Sequence, residues 1–347
     1  MILKPKHILV MRFSAMGDVA MVVPVLRALQ QQHKALKITV LTRDFLAPLF
    51  RNIPNTTVFS VDFKNDYKGV LGLYKLSKQL KTIKVDAIAD LHGVLRTHVL
   101  KHLLRRNPFI KIDKGRKEKK ALTSGKIFYQ LKTTHERYVD VFNALGYPID
   151  LSKPIFPQKA PQHAITKSFS KDLKTIGIAP FASHKGKVYP LIAMENVITL
   201  LSKHYNILLF GGKYDIDILN NFEKLSTNVI NISGKFSLDE ELNIISNLDL
   251  MLSMDSANAH LAAMLNVKVV TIWGVTHPFC GFSPYNQPED YMLLADRKKF
   301  PKIPTSVYGN LYPEAYANAA GSISPETVVK KIISILNTSD TEVVVKN

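Results

Sequence analysis

The stretch Asp249-Leu-Met-Leu-Ser-Met-Asp255-Ser-Ala-Asn-Ala-His260-Leu-Ala-Ala-Met-Leu-Asn-Val-Lys-Val-Val-Thr-Ile-Trp-Gly274 decides the fold of this chain. It predicts a short apolar strand at Leu250–Met254, a small-residue helix at Ser256–Leu265 and a β-branched strand at Val267–Trp273. Strands that are apolar at nearly every position are typical of a parallel sheet covered on both faces. Asp255 follows the first strand at an N-cap position, where it either caps the helix or faces a ligand at the carboxyl end of the sheet.

The N-terminus repeats this arrangement. A strand at His7–Arg12 leads into a loop that ends in Gly17 and Asp18, and a helix follows at Val19–Gln31. Gly17 permits a turn conformation closed to other residues, and Asp18 again falls where an N-cap belongs. If the two halves face each other, we expect both carboxylates to point into one cleft.

Length and composition fit two halves. A chain of 347 residues with 46% hydrophobic content suits two α/β domains. No apolar run approaches the roughly 18 residues of a transmembrane helix, and the first strand begins too early for a signal peptide. The single cysteine, Cys280, excludes an intramolecular disulfide and a cysteine-rich metal site. These features predict a cytoplasmic protein.

The charge indicates an anionic partner. The net charge is +18, and ten basic residues stand between Lys101 and Lys126 against only Asp113 and Glu118. Such a run is either a solvated face or a contact surface. Aromatic residues do not alternate with the basic ones as stacking platforms, so nucleic acid is not expected as a partner. An anionic lipid surface fits at least as well.

Strands and helices alternate along both halves, which predicts an α/β fold with parallel sheets. The strands expected in the first half are Ile8–Met11, Ile38–Thr42, Val58–Val61, Asp86–Leu91 and Phe109–Ile112. Those expected in the second half are Thr175–Ala179, Asn206–Phe210, Val229–Ile232, Leu248–Met254 and Val267–Trp273. The proline-rich segment Leu151–His163 is the natural linker. We therefore expect domains at 1–160 and 161–323, followed by a C-terminal helix from Ser324 to Asn337 and a tail within 324–347.

Five motifs, taken in order, resemble glycosyltransferase family 9, the ADP-heptose:lipopolysaccharide heptosyltransferases. They are Arg12-Phe-Ser-Ala-Met-Gly17-Asp18, Ile178-Ala-Pro-Phe-Ala-Ser183, Lys187-Val-Tyr-Pro190, Ser253-Met-Asp255-Ser-Ala-Asn-Ala-His260-Leu-Ala-Ala and Trp273-Gly-Val-Thr-His-Pro278. The resemblance implies a GT-B fold of two Rossmann-like domains facing across a cleft. It also implies an inverting transferase that needs no metal and no cofactor, with ADP-heptose as the donor.

The chemistry of such a transfer assigns roles to the motif residues. Asp18 resembles the family's catalytic base and would accept the proton of the acceptor hydroxyl. Lys187 is similar to the diphosphate-contacting lysine, and the backbone N–H groups of Ser256–Asn258, including Ala257, would hold phosphate oxygens at a helix N-terminus. Asp255 would accept hydrogen bonds from heptose hydroxyls, since phosphate would repel it.

Further donor contacts are expected in the second half. Ser183 contacts the phosphates or is an ordinary loop serine, and Gly211 and Gly212 let the nucleotide approach the backbone after a strand. Asp215 takes the ribose hydroxyls or is simply an acid in the first turn of a helix. His260, one turn into its helix, would support Asp255 or be a structural histidine.

The acceptor is expected to bind the first half. Arg12, Arg96 and Arg137 are candidates for gripping carboxylates or phosphates of the acceptor, because arginine binds such groups bidentately. Gly17, next to Asp18, is also expected to contact the acceptor. Surface arginines without a specific role remain the alternative.

The chain departs from the family at Phe300–Asn310, where many relatives carry cysteines and this chain has none. The resemblance predicts a lipopolysaccharide-core acceptor and action at the cytoplasmic face of the inner membrane, with the basic segment 101–126 contacting the membrane. Two alternatives stay open. One is a GT-B transferase or epimerase with another nucleotide-sugar, and the other is a nucleic-acid-binding module.

Overall fold

The chain forms two compact units in the computed structural model, which describes residues 4–344. The first unit comprises the chain through Gly115 together with Lys132–Pro157. The second comprises Arg116–Leu131 together with the chain from Gln158 onward. A single boundary near residue 160 does not describe the excursion of Arg116–Leu131 into the second unit.

The first unit is built on a five-stranded parallel sheet in the order β3-β2-β1-β4-β5. Its strands are β1 (His7–Met11), β2 (Lys37–Arg43), β3 (Thr56–Val61), β4 (Ala87–Asp90) and β5 (Phe109–Lys111). The central strand β1 is buried from Ile8 onward, and every residue of β4 is buried. This explains why both strands consist almost wholly of apolar residues.

Between residues 4 and 157 the structure has six α-helices. They are α1 (Met16–Ala20), α2 (Val22–Gln32), α3 (Gly69–Thr82), α4 (Leu95–Leu103), α5 (Arg116–Thr123) and α6 (Thr134–Ala144), of which α5 belongs to the second unit. The sequence predicted one helix at Val19–Gln31, whereas the structure has α1 and α2 with a break at Met21. Pro24 near the start of α2 has no N–H to donate to the preceding turn, which explains the break.

The second unit holds a six-stranded parallel sheet in the order β11-β10-β9-β6-β7-β8. Its strands are β6 (Thr175–Ala179), β7 (Asn206–Leu209), β8 (Val229–Asn231), β9 (Leu250–Met254), β10 (Lys268–Trp273) and β11 (Met292–Leu294). Its remaining helices are α7 (Leu191–Leu201), α8 (Ile216–Glu223), α9 (Leu238–Ile245), α10 (Ala257–Met264) and α11 (Pro325–Val344). Every predicted strand is present, and the predicted α/β class with two parallel sheets is confirmed.

The excursion Arg116–Leu131 is anchored to the second unit by apolar contacts and one main-chain bond. Leu122 and Leu131 pack with Cys280, and the Leu131 N–H donates to the Phe279 carbonyl at 3.0 Å. The sequence of α5 is mostly basic, so it carries no apolar stripe that would have predicted this docking.

The C-terminal helix begins as expected and runs further than expected. Ser324 accepts the N–H of Thr327 at 3.2 Å, and the helix α11 continues past the predicted end at Asn337 to Val344. The end of the predicted tail, residues 345–347, lies outside the described residues. Within residues 4–344, no helix is both long and apolar enough to span a bilayer.

Candidate active site

Asp18 lies in the first turn of α1, where the guanidinium of Arg12 binds its carboxylate. Arg12 Nη2 is 2.5 Å from Asp18 Oδ2, and Arg12 Nη1 donates to the Leu91 carbonyl at 2.8 Å. Asp18 Oδ2 also accepts the Ala15 N–H at 3.3 Å, so Asp18 is the third helical residue and not the predicted N-cap. Arg12 is only 6% exposed. Its buried guanidinium therefore fixes the direction of the carboxylate rather than extending toward an acceptor.

Tyr138 supports this site from helix α6. Its hydroxyl donates to the main-chain carbonyl of Asp18 at 3.1 Å. Burial raises the pKa of Tyr138, so the hydroxyl keeps its proton and remains a donor. Nothing in the sequence pattern distinguished Tyr138 from the apolar residues of α6, so sequence reasoning missed it.

Gly17 does not make the turn expected of it. It lies inside α1 with helical geometry, and the left-handed glycine near this site is Gly93, with φ of +57°. Gly93 follows β4, where Asp90 Oδ1 accepts the N–H groups of His92 at 3.0 Å and Gly93 at 2.8 Å. The sharp reversal therefore falls after β4, in a left-handed conformation that favours glycine.

Positive charge surrounds His92 in the first unit. Burial, followed by the charges of Arg12, Lys114, Arg43 and Arg96, lowers the pKa of His92 to about 3. The imidazole is therefore neutral at physiological pH. Because Arg12 is paired with Asp18, the cations around His92 that can attract an anion are Arg43, Arg96 and Lys114. Arg43 and Lys114 were not predicted as site residues. The position of Arg43 at the carboxyl end of β2 is the signal that would have found it.

The hydrogen bonds of His92 define its neutral form. The Phe13 N–H points at Nδ1 from 3.4 Å, so Nδ1 acts as the acceptor and the ring proton sits on Nε2. Ser14 Oγ lies 3.5 Å from Nε2. His92 thus presents a neutral N–H next to the loop that precedes Asp18.

Arg96 and Arg137, both predicted acceptor ligands, differ in access. Arg96 is exposed, with its guanidinium 5.1 Å from the centre of the Phe63 ring. Arg137 is 4% exposed, and its Nε donates to the Lys132 carbonyl at 3.1 Å. A Cβ at Gly115 would lie 2.2 Å from Arg137 Nη2, so the guanidinium fills a closed cradle. Arg137 is thus enclosed within the first unit, whereas Arg96 is open to solvent.

In the second unit, Lys187 and Asp255 form a buried ion pair. Lys187 Nζ lies 2.8 Å from Asp255 Oδ2, and Thr276 Oγ1 donates to the same oxygen at 2.9 Å. The side chains of Lys187 and Asp255 are 13% and 8% exposed. The sequence assigned the two residues to separate parts of the donor. Because an ammonium has three donors and a carboxylate two oxygens, the pair retains N–H groups on Lys187 and the acceptor Oδ1 on Asp255 for further hydrogen bonds.

Close backbone packing positions Lys187. The Gly186 carbonyl accepts the Val275 N–H at 2.9 Å, and a Cβ at Gly274 would lie 2.3 Å from that carbonyl oxygen. Gly309, with φ of +76°, packs against the Lys187 stem, where a Cβ would meet Lys187 Cγ at 2.5 Å. The loop Phe300–Asn310, where the chain departs from the family pattern, therefore contacts Lys187 directly through Gly309.

The start of α10 lies beside this pair. Ser256 is the N-cap residue, which places Asp255 one position before the cap expected of it. Ser253 Oγ and Ser256 Oγ are 3.0 Å apart. The N–H groups of Ala257 and its neighbours in the first turn have no partner within the helix, as at any helix N-terminus. His260 is buried on α10, one turn further on.

The remaining predicted donor residues follow β6, which pairs with β9, and β7, which pairs with β6. Ser183 is exposed, and Asp215 Oδ2 accepts the Gly212 N–H at 2.8 Å, which closes the loop after β7. A Cβ at Gly211 would lie 2.6 Å from Leu219 Cδ1, so Gly211 is required for packing against α8. Gly212 is exposed and is the glycine of the two that leaves room for a ligand.

The excursion Arg116–Leu131 contributes an aromatic cluster beside Thr276. The Phe128 ring centre lies 5.1 Å from that of His277 and 4.9 Å from that of Phe279, and the Arg297 guanidinium lies 3.5 Å from the Phe128 ring centre. Burial, followed by the charge of Arg297, lowers the pKa of His277 to about 4. His277 is therefore a neutral packing residue, and sequence reasoning did not include Phe128 or Arg297.

The parallel sheets explain which predicted residues come together. In the second unit, the predicted donor residues follow the carboxyl ends of the neighbouring strands β9, β6 and β7. In the first unit, Arg12, Asp18 and Arg96 follow the carboxyl ends of the paired strands β1 and β4. Among residues 4–344, no group of three or more His, Cys, Asp or Glu side chains is arranged to hold a metal ion.

Known proteins resemble this chain over most of its length. Residues 73–308 match the model of glycosyltransferase family 9 (heptosyltransferase). The chain is 25% identical to the lipopolysaccharide core heptosyltransferase OpsX of Haemophilus influenzae, over 86% of this chain and 88% of the relative.

Solved structures share the fold. A family 9 glycosyl transferase from Veillonella parvula superposes with a TM-score of 0.76 at 20% identity, covering 96% of this chain and 98% of the other. The E. coli heptosyltransferase WaaC, solved with ADP-2-deoxy-2-fluoro heptose, gives a TM-score of 0.65 at 18% identity, covering 94% and 99%. With two parallel α/β units of the GT-B class and a match over most of its length, the chain belongs to glycosyltransferase family 9, the heptosyltransferase family.

Proposed function

We propose that this chain transfers a heptose from ADP-heptose to the inner core of lipopolysaccharide by an inverting, metal-independent displacement. The observation that carries the proposal is the Lys187–Asp255–Thr276 cluster at the start of α10, which suits a sugar diphosphate. Family membership supports the reaction class. The donor is suggested by the ligand of E. coli WaaC, and the acceptor by the name of the H. influenzae relative.

The second unit binds the donor in this proposal. Lys187 and the free N–H groups at Ser256 and Ala257 hold the diphosphate, whose negative charge grows as the glycosidic bond breaks. Asp255 Oδ1 accepts from a heptose hydroxyl, and His260 supports α10 beneath it. Ser183, Gly212 and Asp215 line the side of the nucleotide. Cations and helix N–H groups thereby supply the stabilisation that a metal provides in other transferases.

The first unit supplies the base. Asp18 accepts the proton of the acceptor hydroxyl as that oxygen attacks the anomeric carbon, while Arg12 holds the carboxylate in a fixed direction. Gly17 leaves space beside Asp18. Arg96, Arg43 and Lys114 attract the carboxylates or phosphates of the acceptor. Attack on the face opposite the departing diphosphate inverts the anomeric centre.

The positive charge fits action at a membrane. We place the enzyme at the cytoplasmic face of the inner membrane, with the basic segment 101–126 contacting anionic lipid. This segment is divided between the two units, since Gly115 ends one part and Arg116 begins the next. Nucleic acid is not a partner in this proposal.

Nucleotide binding followed by product analysis tests the proposed function. Calorimetric titration should show that ADP binds more tightly than UDP or GDP, and that a short oligonucleotide does not bind. Incubation with ADP-heptose and a core acceptor should then yield a product of inverted anomeric configuration by NMR. Preference for UDP or GDP would indicate a donor other than ADP-heptose. Turnover without an acceptor would indicate an epimerase. Binding of the oligonucleotide alone would overturn the transferase proposal.

A further inference from the structure

Helices α3 and α4 of the first unit expose apolar side chains to solvent. Leu71 is 84% exposed, Leu95 80%, Val70 70% and Tyr74 48%. α3 and α4 lie next to each other in the helix layer, and the opposite side of α3 packs Leu73, Leu76 and Leu80 into the core. Exposed leucine, valine and tyrosine beside basic residues are typical of a helix face that lies on a membrane surface.

The same surface carries many uncompensated positive charges. Residues 69–107 contain eight Lys and Arg against two Asp. Of the two, Asp90 is fully buried, and Asp86 Oδ2 accepts the main-chain N–H groups of Lys6 and His7 at 2.7 and 2.8 Å. Both acidic side chains are therefore engaged within the fold, and the outer surface of α3 and α4 is strongly positive.

A pocket of about 520 Å³ opens where α3 and α4 end. Its floor is apolar, with Leu80 and Leu104 almost fully buried. Four cations line it, namely Lys81, Lys84, Arg105 and Arg106, and no acidic side chain does. Among residues 4–344, none of these four forms an ion pair with a carboxylate. The pocket therefore concentrates positive charge without an internal counter-ion.

The number of cations exceeds what the helix ends require. A helix C-terminus carries about half a negative charge, so the two ends together offset only about one of the four positive charges. Two arginines and two lysines around one pocket suit a phosphate, which arginine binds through paired N–H groups. The exposed Leu71 and Leu95 on the same helices add an apolar contact that a soluble phosphate would not use. Together these features favour a phosphate at a lipid surface.

We propose that the outer surface of α3 and α4 docks on a membrane containing anionic phospholipid, and that the pocket of Lys81, Lys84, Arg105 and Arg106 takes a lipid phosphate. This site gives the membrane contact of the proposed function a defined location. The inference rests on that proposed function. It adds a defined contact within the first unit, which includes Arg105 and Arg106 of the segment 101–126. Sugar transfer is not needed for lipid binding, so each can fail without the other.

Vesicle co-sedimentation of the full chain tests the site. Wild-type protein should bind phosphatidylcholine vesicles containing phosphatidylglycerol and should not bind pure phosphatidylcholine. The variant K81Q/K84Q/R105Q/R106Q should bind the anionic vesicles at least about tenfold more weakly, since each cation near an anionic surface contributes measurably. L71S/L95S should also weaken binding to the anionic vesicles. Because this variant loses apolar contacts and no charge, its loss relative to wild type should be similar at low and high salt. Thermal melting checks that each variant folds.

A control with the same net charge separates the pocket from bulk electrostatics. The variant K171Q/K203Q/K235Q/K330Q neutralises four exposed lysines of the second unit and should bind anionic vesicles like wild type. The proposal would be overturned if K81Q/K84Q/R105Q/R106Q and K171Q/K203Q/K235Q/K330Q lost vesicle binding equally. Wild-type vesicle binding by K81Q/K84Q/R105Q/R106Q would also overturn it. Inorganic phosphate at constant ionic strength should not displace the vesicles. Displacement would mean that the pocket takes free phosphate and would overturn the lipid assignment. Transfer to a soluble acceptor should be unchanged in both variants.

Discussion

The ammonium of Lys187 lies 2.8 Å from the carboxylate of Asp255, and both side chains are nearly buried. A cation and an anion that come from different loops thus form one ion pair at the carboxyl end of the second sheet. Thr276 donates to the same carboxylate oxygen, which fixes its direction. In the proposed reaction, this ion pair binds the diphosphate through Lys187 and a sugar hydroxyl through Asp255. The two residues therefore act together.

Breaking this pair should destabilise the second unit. K187M leaves a buried carboxylate with only Thr276 as its partner, so we expect a loss of about 3 kcal/mol in the free energy of unfolding. D255N should cost a similar amount by leaving the ammonium without its counter-ion. Urea unfolding of both single variants and of K187M/D255N gives the coupling energy. A double variant whose loss equals the sum of the single losses would show that the two groups do not interact.

Gly309 should be needed to position Lys187. G309A places a methyl group 2.5 Å from Lys187 Cγ, so the lysine stem must shift and ADP affinity should fall at least about tenfold through the misplaced phosphate ligand. G125A is the matched control, because Gly125 has φ of +73° but open space around its Cβ position. Both variants carry the same backbone strain. Equal ADP affinity in the two variants, measured by calorimetry, would rule out this role of Gly309.

His92 should make the first unit sensitive to acid. The unfolded chain binds a proton at this histidine near pH 6.5, whereas the folded chain does so only near pH 3. The unfolded state therefore binds more protons between these values, and stability falls as the pH falls. H92N retains an acceptor for the Phe13 N–H and does not titrate. From pH 7 to pH 5 it should lose about 2 kcal/mol less stability than wild type in urea unfolding. The same loss in both proteins would assign the acid sensitivity to other groups.

Transfer should not depend on a divalent metal. Because Lys187 and the helix N–H groups are proposed to stabilise the leaving diphosphate, the rate should be unchanged in excess EDTA and on addition of Mg²⁺. The measurement is the initial rate of ADP release with acceptor present. A rate that falls in EDTA and recovers with Mg²⁺ would contradict the metal-independent mechanism.

Local patterns were enough to predict the framework of the molecule. Apolar runs such as Leu250–Met254 predicted buried parallel strands, and Asp18 and Asp255 stood out because each lies between a predicted strand and the predicted helix that follows it. The pairing of Lys187 with Asp255 was not predictable, because it joins residues far apart in sequence through tertiary packing. The burial of Arg137 depends on the space left by Gly115, which no periodicity reveals. The docking of α5 depends on Leu122 and Leu131, too few apolar residues to make a recognisable stripe.

The most direct test of the central claim is the single-turnover rate of D18N with ADP-heptose bound and acceptor added. Loss of the general base should lower this rate by about 10²–10⁴-fold while donor affinity stays close to that of wild type. D140N is a matched control, because Asp140 is an exposed acid of the same unit that pairs with Lys132 at 2.8 Å, and it should turn over normally. A D18N rate close to that of wild type, with donor bound, would show that Asp18 is not the base.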